Sequence, residues 1–153
     1  MKKLLLVAAA LAVFLYLNRE RPDAGDLPSG RMAASPATES AAANDDLIAT
    51  AYASRASGVP VSGRGRVARV LGDDSLGDRH QRFILELESG QTILIAHNID
   101  LAPRVDALRE GEFVEFSGEY EWNDKGGIVH WTHHDPDGQR TGGWLKVDGR
   151  TYE

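Results

Sequence analysis

The sequence predicts an all-β domain with little helix, a five-stranded OB-like barrel behind an N-terminal signal or anchor segment. Three observations predict it. From Val61 onward the apolar pattern changes to strand periodicity, in five runs separated by Gly, Asn and Asp turns. The first run carries Gly63 and Gly65 inside it, and interior glycines mark a bend or bulge of the kind a barrel corner needs. A short helical turn is expected over Val105 to Leu108, between the third and fourth strands, which is the OB layout.

The chain has 153 residues, a formal net charge of −6 and a pI of about 5.3. That length suits one domain of ordinary size. An acidic chain is repelled by phosphate backbones, so nucleic acid is a disfavoured partner unless a local basic patch exists. The absence of cysteine excludes disulfides, thiolate metal sites, a cysteine nucleophile and a lipoprotein anchor.

Met1-Lys2-Lys3 followed by the apolar run Leu4–Leu17 reads as a signal peptide or signal anchor over residues 1–21. As a helix its fourteen residues span about 21 Å, short of a ~30 Å hydrocarbon core. Length favours a signal peptide, whereas Asn18-Arg19-Glu20-Arg21-Pro22 lacks a small-x-small cleavage site and favours an uncleaved anchor. Both place the remainder on the periplasmic side, anchored in the inner membrane or secreted after cleavage. Residues 22–43, rich in Ala, Ser, Pro and Gly without apolar periodicity, are expected to be a disordered linker. The domain proper is expected over residues 44–153.

Asn44 can cap a short helix, with Asp45 and Asp46 at its positive end and Leu47, Ile48, Ala51 and Tyr52 on one face. The strands then follow over 61–71, 82–88, 91–97, 113–122 and 128–133. In the second, Phe83, Leu85 and Leu87 alternate with polar residues. The third is apolar on both faces and therefore central. In the fourth, Val114, Phe116, Tyr120 and Trp122 oppose Glu115, Ser117, Glu119 and Glu121. Asn123–Gly127 is the turn into the fifth, where alternation sends Val129, Trp131 and His133 one way and Ile128, His130, Thr132 and His134 the other. The tail through Trp144–Val147 is expected to add one more short strand before Asp148-Gly149.

Several stretches carry a resemblance: Gly63-x-Gly65-x-Val67, His80–Ile84, Ile95–Arg104, Gly118–Asn123, Gly126–Pro136 and Gly143-Trp144-Leu145. These resemble the bacterial domain of unknown function (DUF) 3465, over about Ser54 to Tyr152. The resemblance implies a small exported bacterial protein and brings no reaction with it.

The stretch Gly118–Pro136 concentrates three of the five histidines and two of the three tryptophans. With the corner at His97–Asp100 it forms the candidate ligand site: His97, Asn98, Asp100, Arg104, Glu119, Glu121, Trp122, His130, Trp131, His133, His134 and Asp135. Imidazole and carboxylate donors suit a divalent transition ion, with His97, His130, His133 and His134 as candidate ligands. Their spacing matches no standard metal motif, and adjacent His133 and His134 face opposite sides of a strand. The bland alternative buries one histidine against backbone and pairs another with Asp135. The leading function is binding of a small polar or anionic ligand. The alternative is a metal-dependent phosphodiesterase resembling staphylococcal-nuclease-like OB domains, with Asp73, Asp74, Arg82 and Asp100 as catalytic candidates. That resemblance is thinned by Arg104, which stands where a carboxylate is expected after Pro103, and by the lack of arginine in strand three.

Overall fold

The computed structural model describes residues 36–74 and 77–153. The signal or anchor segment, and the linker up to residue 35, lie outside the described residues. Among those described, no helix is long and apolar enough to cross a membrane.

One helix, α1 (Pro36–Ser54), precedes seven strands: β1 (Val59–Val70), β2 (His80–Leu87), β3 (Thr92–Asn98), β4 (Phe113–Glu121), β5 (Ile128–His130), β6 (Trp144–Val147) and β7 (Arg150–Tyr152). The order β1-β2-β3-β5-β4, closed by β4 pairing back onto β1, makes a five-stranded barrel. Every pair in it is antiparallel except β3–β5. This is the predicted OB-like barrel. β6 and β7 are additions to the barrel, β6 pairing with residues 114–117 of β4, and they are joined by Asp148-Gly149, both at positive φ as a tight hairpin turn requires.

The long β1 makes closure work. Residues 59–66 pair with β4 and residues 65–70 with β2, so Gly65 faces Val114 on one side and Leu87 on the other. A Cβ at Gly65 would sit 2.9 Å from the Glu86 carbonyl oxygen, so the corner needs glycine. A bulge between Val67 and Arg69 completes the turn of the strand. The interior is filled by Val61, Val67, Phe83, Leu85, Ile93, Ile95, Val114, Phe116, Tyr120, Val129 and Leu145, all buried. These are the inward residues of the alternating runs.

The expectations for α1 and β5 are corrected. α1 begins at Pro36, inside the stretch expected to be linker, rather than at Asn44. Proline suits a first helical turn and the alanines that follow favour helix. Asp45 therefore lies within the helix rather than at its start, is buried, and accepts the Ser89 amide at 3.0 Å. The face that packs is Asp45, Ile48 and Ala51, leaving Leu47 and Tyr52 exposed. The turn expected at Val105–Leu108 is present as a single hydrogen-bonded turn, the Leu108 amide donating to the Val105 carbonyl oxygen at 3.4 Å, and both residues fill the core. Finally, β5 stops at His130 instead of continuing to His133.

Candidate functional site

β5 ends because Trp131 takes a positive φ of 57°. A bulky residue rarely occupies that region, and the strand's alternation is lost there. The chain folds back over β4 at Gly118, where a Cβ would collide with the His130 carbonyl oxygen. Consequently Thr132 and His133 are both buried, whereas His134 is exposed. The parity expected from an unbroken strand fails at these residues.

Inside the barrel end, His97 is fully buried. Its Nε2–H donates to the Pro103 carbonyl oxygen at 3.2 Å, because a carbonyl can only accept. That leaves Nδ1 to accept from the Thr132 hydroxyl at 2.9 Å. Burial holds the ring's pKa below the usual 6.5, so it is neutral at pH 7. His133 Nδ1–H donates to the His134 carbonyl oxygen at 2.7 Å, and its ring lies 4.8 Å from that of Trp131. Gln81, also buried, makes paired 2.9 Å hydrogen bonds with the Val105 carbonyl oxygen and amide. This network ties β2, β3 and the loops after β3 and β5 together. Gln81 and Thr132 were not among the residues singled out from sequence, although Gln81 shares inward parity with Phe83, Leu85 and Leu87.

The outer face is different. Arg82 pairs with Ala96, Ile84 with Leu94, Leu94 with Ile128, and Ile128 with Glu121. Glu119 lies directly opposite His130. These rows line an open depression of about 380 Å³, bounded by Asp74, His80, Arg82, Leu94, Ala96, Glu121, Ile128 and His130. Ligand atoms of Glu119, Glu121 and His130 all lie within 4.8 Å of one another. The Nε2 atom of His130 is buried and has no hydrogen-bond partner. Glu121 Oε1, at 3.9 Å, is too far to accept from it. Glu119 also leans toward Arg140 at 3.7 Å, and Arg140 stacks over Trp131 at 5.1 Å from the ring centre. A second depression of about 430 Å³ is lined by Glu119, Trp131 and Arg140 among others.

The phosphodiesterase candidates are distributed among separate arginines. Asp100 receives the Arg79 amide at 2.7 Å and its guanidinium at 2.7–2.8 Å, which hold its carboxyl below the usual 3.8. Asp73 takes a bidentate pair from Arg104, whose guanidinium also reaches Asp106. Arg82 donates to the Gly72 carbonyl oxygen and stands 3.9 Å from Asp74. Asn98 accepts the Asp100 amide and so shapes the corner. Asp135 accepts the amides of Arg140, Gln139 and Asp137 and organises its own loop, with the Arg140 amide foremost in lowering its pKa. Trp122 packs against the core, with Arg55 stacked 5.2 Å above it.

The predicted site residues therefore divide. His97 and His133 belong to the interior, His134 and Asp135 to the exposed loop, Asp100 and Arg104 to ion pairs, and His130, Glu119 and Glu121 come together outside. No curated protein matches the chain. Its residues 31–153 match the model of a family described as a protein of unknown function (DUF3465), and the chain belongs to that family.

Proposed function

We infer that the protein is a ligand-binding barrel on an exported chain, and that it seats a small polar or anionic molecule on the outer face of β2, β3 and β5. The observation that carries this reading is the 380 Å³ depression, with Leu94, Ala96 and Ile128 as an apolar floor and His80, Arg82 and His130 among its polar walls. Its volume falls within the roughly 300–1,000 Å³ of small-molecule sites. OB barrels use this face, between the β1–β2 and β4–β5 loops, for binding. Asp74 lies in the first of these loops and Glu121 ends the strand leading to the second. The floor would take an apolar part of the ligand out of water, and Arg82 supplies a fixed charge that can meet an anion.

A small molecule fits better than an oligonucleotide. None of the lining residues is Phe, Tyr or Trp, so bases have no broad ring to stack on, and the chain's net charge is −6. Export is supported by the basic start and the apolar run Leu4–Leu17.

The test is a melting-temperature screen of the full chain, stripped of metal, against dicarboxylates, sugar phosphates and nucleoside monophosphates. A ligand that raises Tm is expected to shift the methyl resonances of Leu94 and Ile128. It is expected to lose its effect in Ala96→Leu, which fills the floor. Hits that leave those methyls unmoved would place binding elsewhere and overturn the reading. Protease accessibility of the domain in spheroplasts checks export.

A further inference from the structure

We propose that Glu119, Glu121 and His130 form a site for one divalent first-row transition-metal ion. Two independent features carry the proposal. The first is convergence fixed by the sheet. Glu119 and His130 are direct cross-strand partners, and Glu121 lies one pair further along on the same outward face. That arrangement brings long side chains together from neighbouring strands without any loop to position them. The donor atoms lie within 4.8 Å of one another. Metal–nitrogen and metal–oxygen distances of about 2.0–2.2 Å require a closer approach for adjacent ligands, within reach of glutamate rotamers.

The second feature is the state of His130 Nε2. The atom itself is shielded and has no hydrogen-bond partner, in a side chain 37% exposed overall, and Glu121 stands 3.9 Å away. A buried ring nitrogen without a partner has lost its hydration without replacement. Two glutamates on one face also repel each other, and Arg140, 3.7 Å from Glu119, offsets that only from the side. A dication bound by Nε2 and both carboxylates would satisfy the nitrogen and cancel the repulsion together.

The donor set selects the class of ion. One imidazole with two carboxylates favours zinc, manganese and their neighbours over calcium and magnesium, which take all-oxygen shells. Three protein ligands leave coordination positions open toward the 380 Å³ depression, which shares Glu121 and His130. The ion would thereby provide an anchor for an anionic ligand. That last consequence rests on the ligand-binding reading, whereas the ion site itself does not.

The experiment uses the full chain without a histidine tag, stripped of metal and titrated with Zn²⁺, Mn²⁺ and Ca²⁺. Calorimetry is expected to give one Zn²⁺ per chain, tighter than Mn²⁺, with no comparable Ca²⁺ binding. The ¹⁵N resonance of His130 Nε2 should move on Zn²⁺ addition. His130→Ala should abolish the stoichiometric binding, and Glu119→Gln and Glu121→Gln should each weaken it by about tenfold or more. The glutamine variants keep side-chain volume and serve if His130→Ala does not fold. Glu88→Gln, an exposed carboxylate elsewhere, should change nothing. Absence of stoichiometric Zn²⁺ binding, an unmoved Nε2 resonance, or equal affinity in Glu121→Gln would overturn the proposal. Failure of the metal-free ligand screen would leave it standing, so the two readings fail separately.

Discussion

His97 and His130 belong to neighbouring strands, β3 and β5, and occupy opposite sides of the barrel wall. Both ring nitrogens of His97 are satisfied, by Thr132 and by the Pro103 carbonyl oxygen. The His130 side chain is 37% exposed, yet its Nε2 atom is shielded and has no hydrogen-bond partner in the protein. The same side chain therefore stands in two different states. A saturated histidine inside the wall fixes loops, because any loss of a partner strands another buried group. An unsaturated one on the outer face, between two carboxylates, is available for something that arrives from outside.

The comparison can be broken most forcefully at His97. His97→Ala removes a buried ring and leaves the Thr132 hydroxyl and the Pro103 carbonyl oxygen without their partner. A loss of about 3 kcal/mol is expected in urea unfolding of the full chain. Gln81→Ala should follow with about 2 kcal/mol, since it strands the Val105 amide and carbonyl oxygen.

A pH series sharpens the same contrast with a smaller effect. Burial lowers the pKa of His97 in the folded chain, so the unfolded chain takes up that proton first. Stability present at neutral pH is then lost as pH falls from about 6.5 toward the lower folded value. In His97→Gln this part of the stability–pH curve should flatten. Asp100 and Asp135 are also lowered, from 3.8, and their contribution is lost only below that value, so the two windows separate. The smallest effect belongs to the outer face. Without metal, His130→Ala should change stability by no more than about 0.5 kcal/mol. A loss as large as that of His97→Ala would erase the distinction between the two histidines.

The barrel was legible in the sequence because its strands obey alternation. Phe83, Leu85 and Leu87, and Val114, Phe116 and Tyr120, point inward as their spacing predicts. The glycines of β1 announced a bend, and one of them, Gly65, stands at the corner. The outward parity of His130 with Glu119 and Glu121 was readable as well. Their meeting was not, because register depends on where the β4–β5 turn closes and not on composition. The end of β5 escaped for a different reason. Nothing in the sequence Val-His-Trp-Thr-His marks Trp131 for positive φ; the conformation is imposed by the close approach to Gly118 and by the burial of Thr132 against His97. The start of α1 was hidden by a composition that suits both linker and helix.

The brevity of β5 has a mechanical consequence. Among the described residues, the sheet pairing that links β3 to β4 runs through β5, whose Ile128 and Val129 pair with β3 and whose three residues all pair with β4. The barrel is a cylinder with a narrow zip along Ile128–His130. Opening there would separate β3 from β4 while the long β1–β4 and β2–β3 ladders stayed intact, as a partial unfolding step below the global one. Anything gripping both β4 and β5 from outside would act as a clasp on that zip, and Glu119, Glu121 and His130 straddle it.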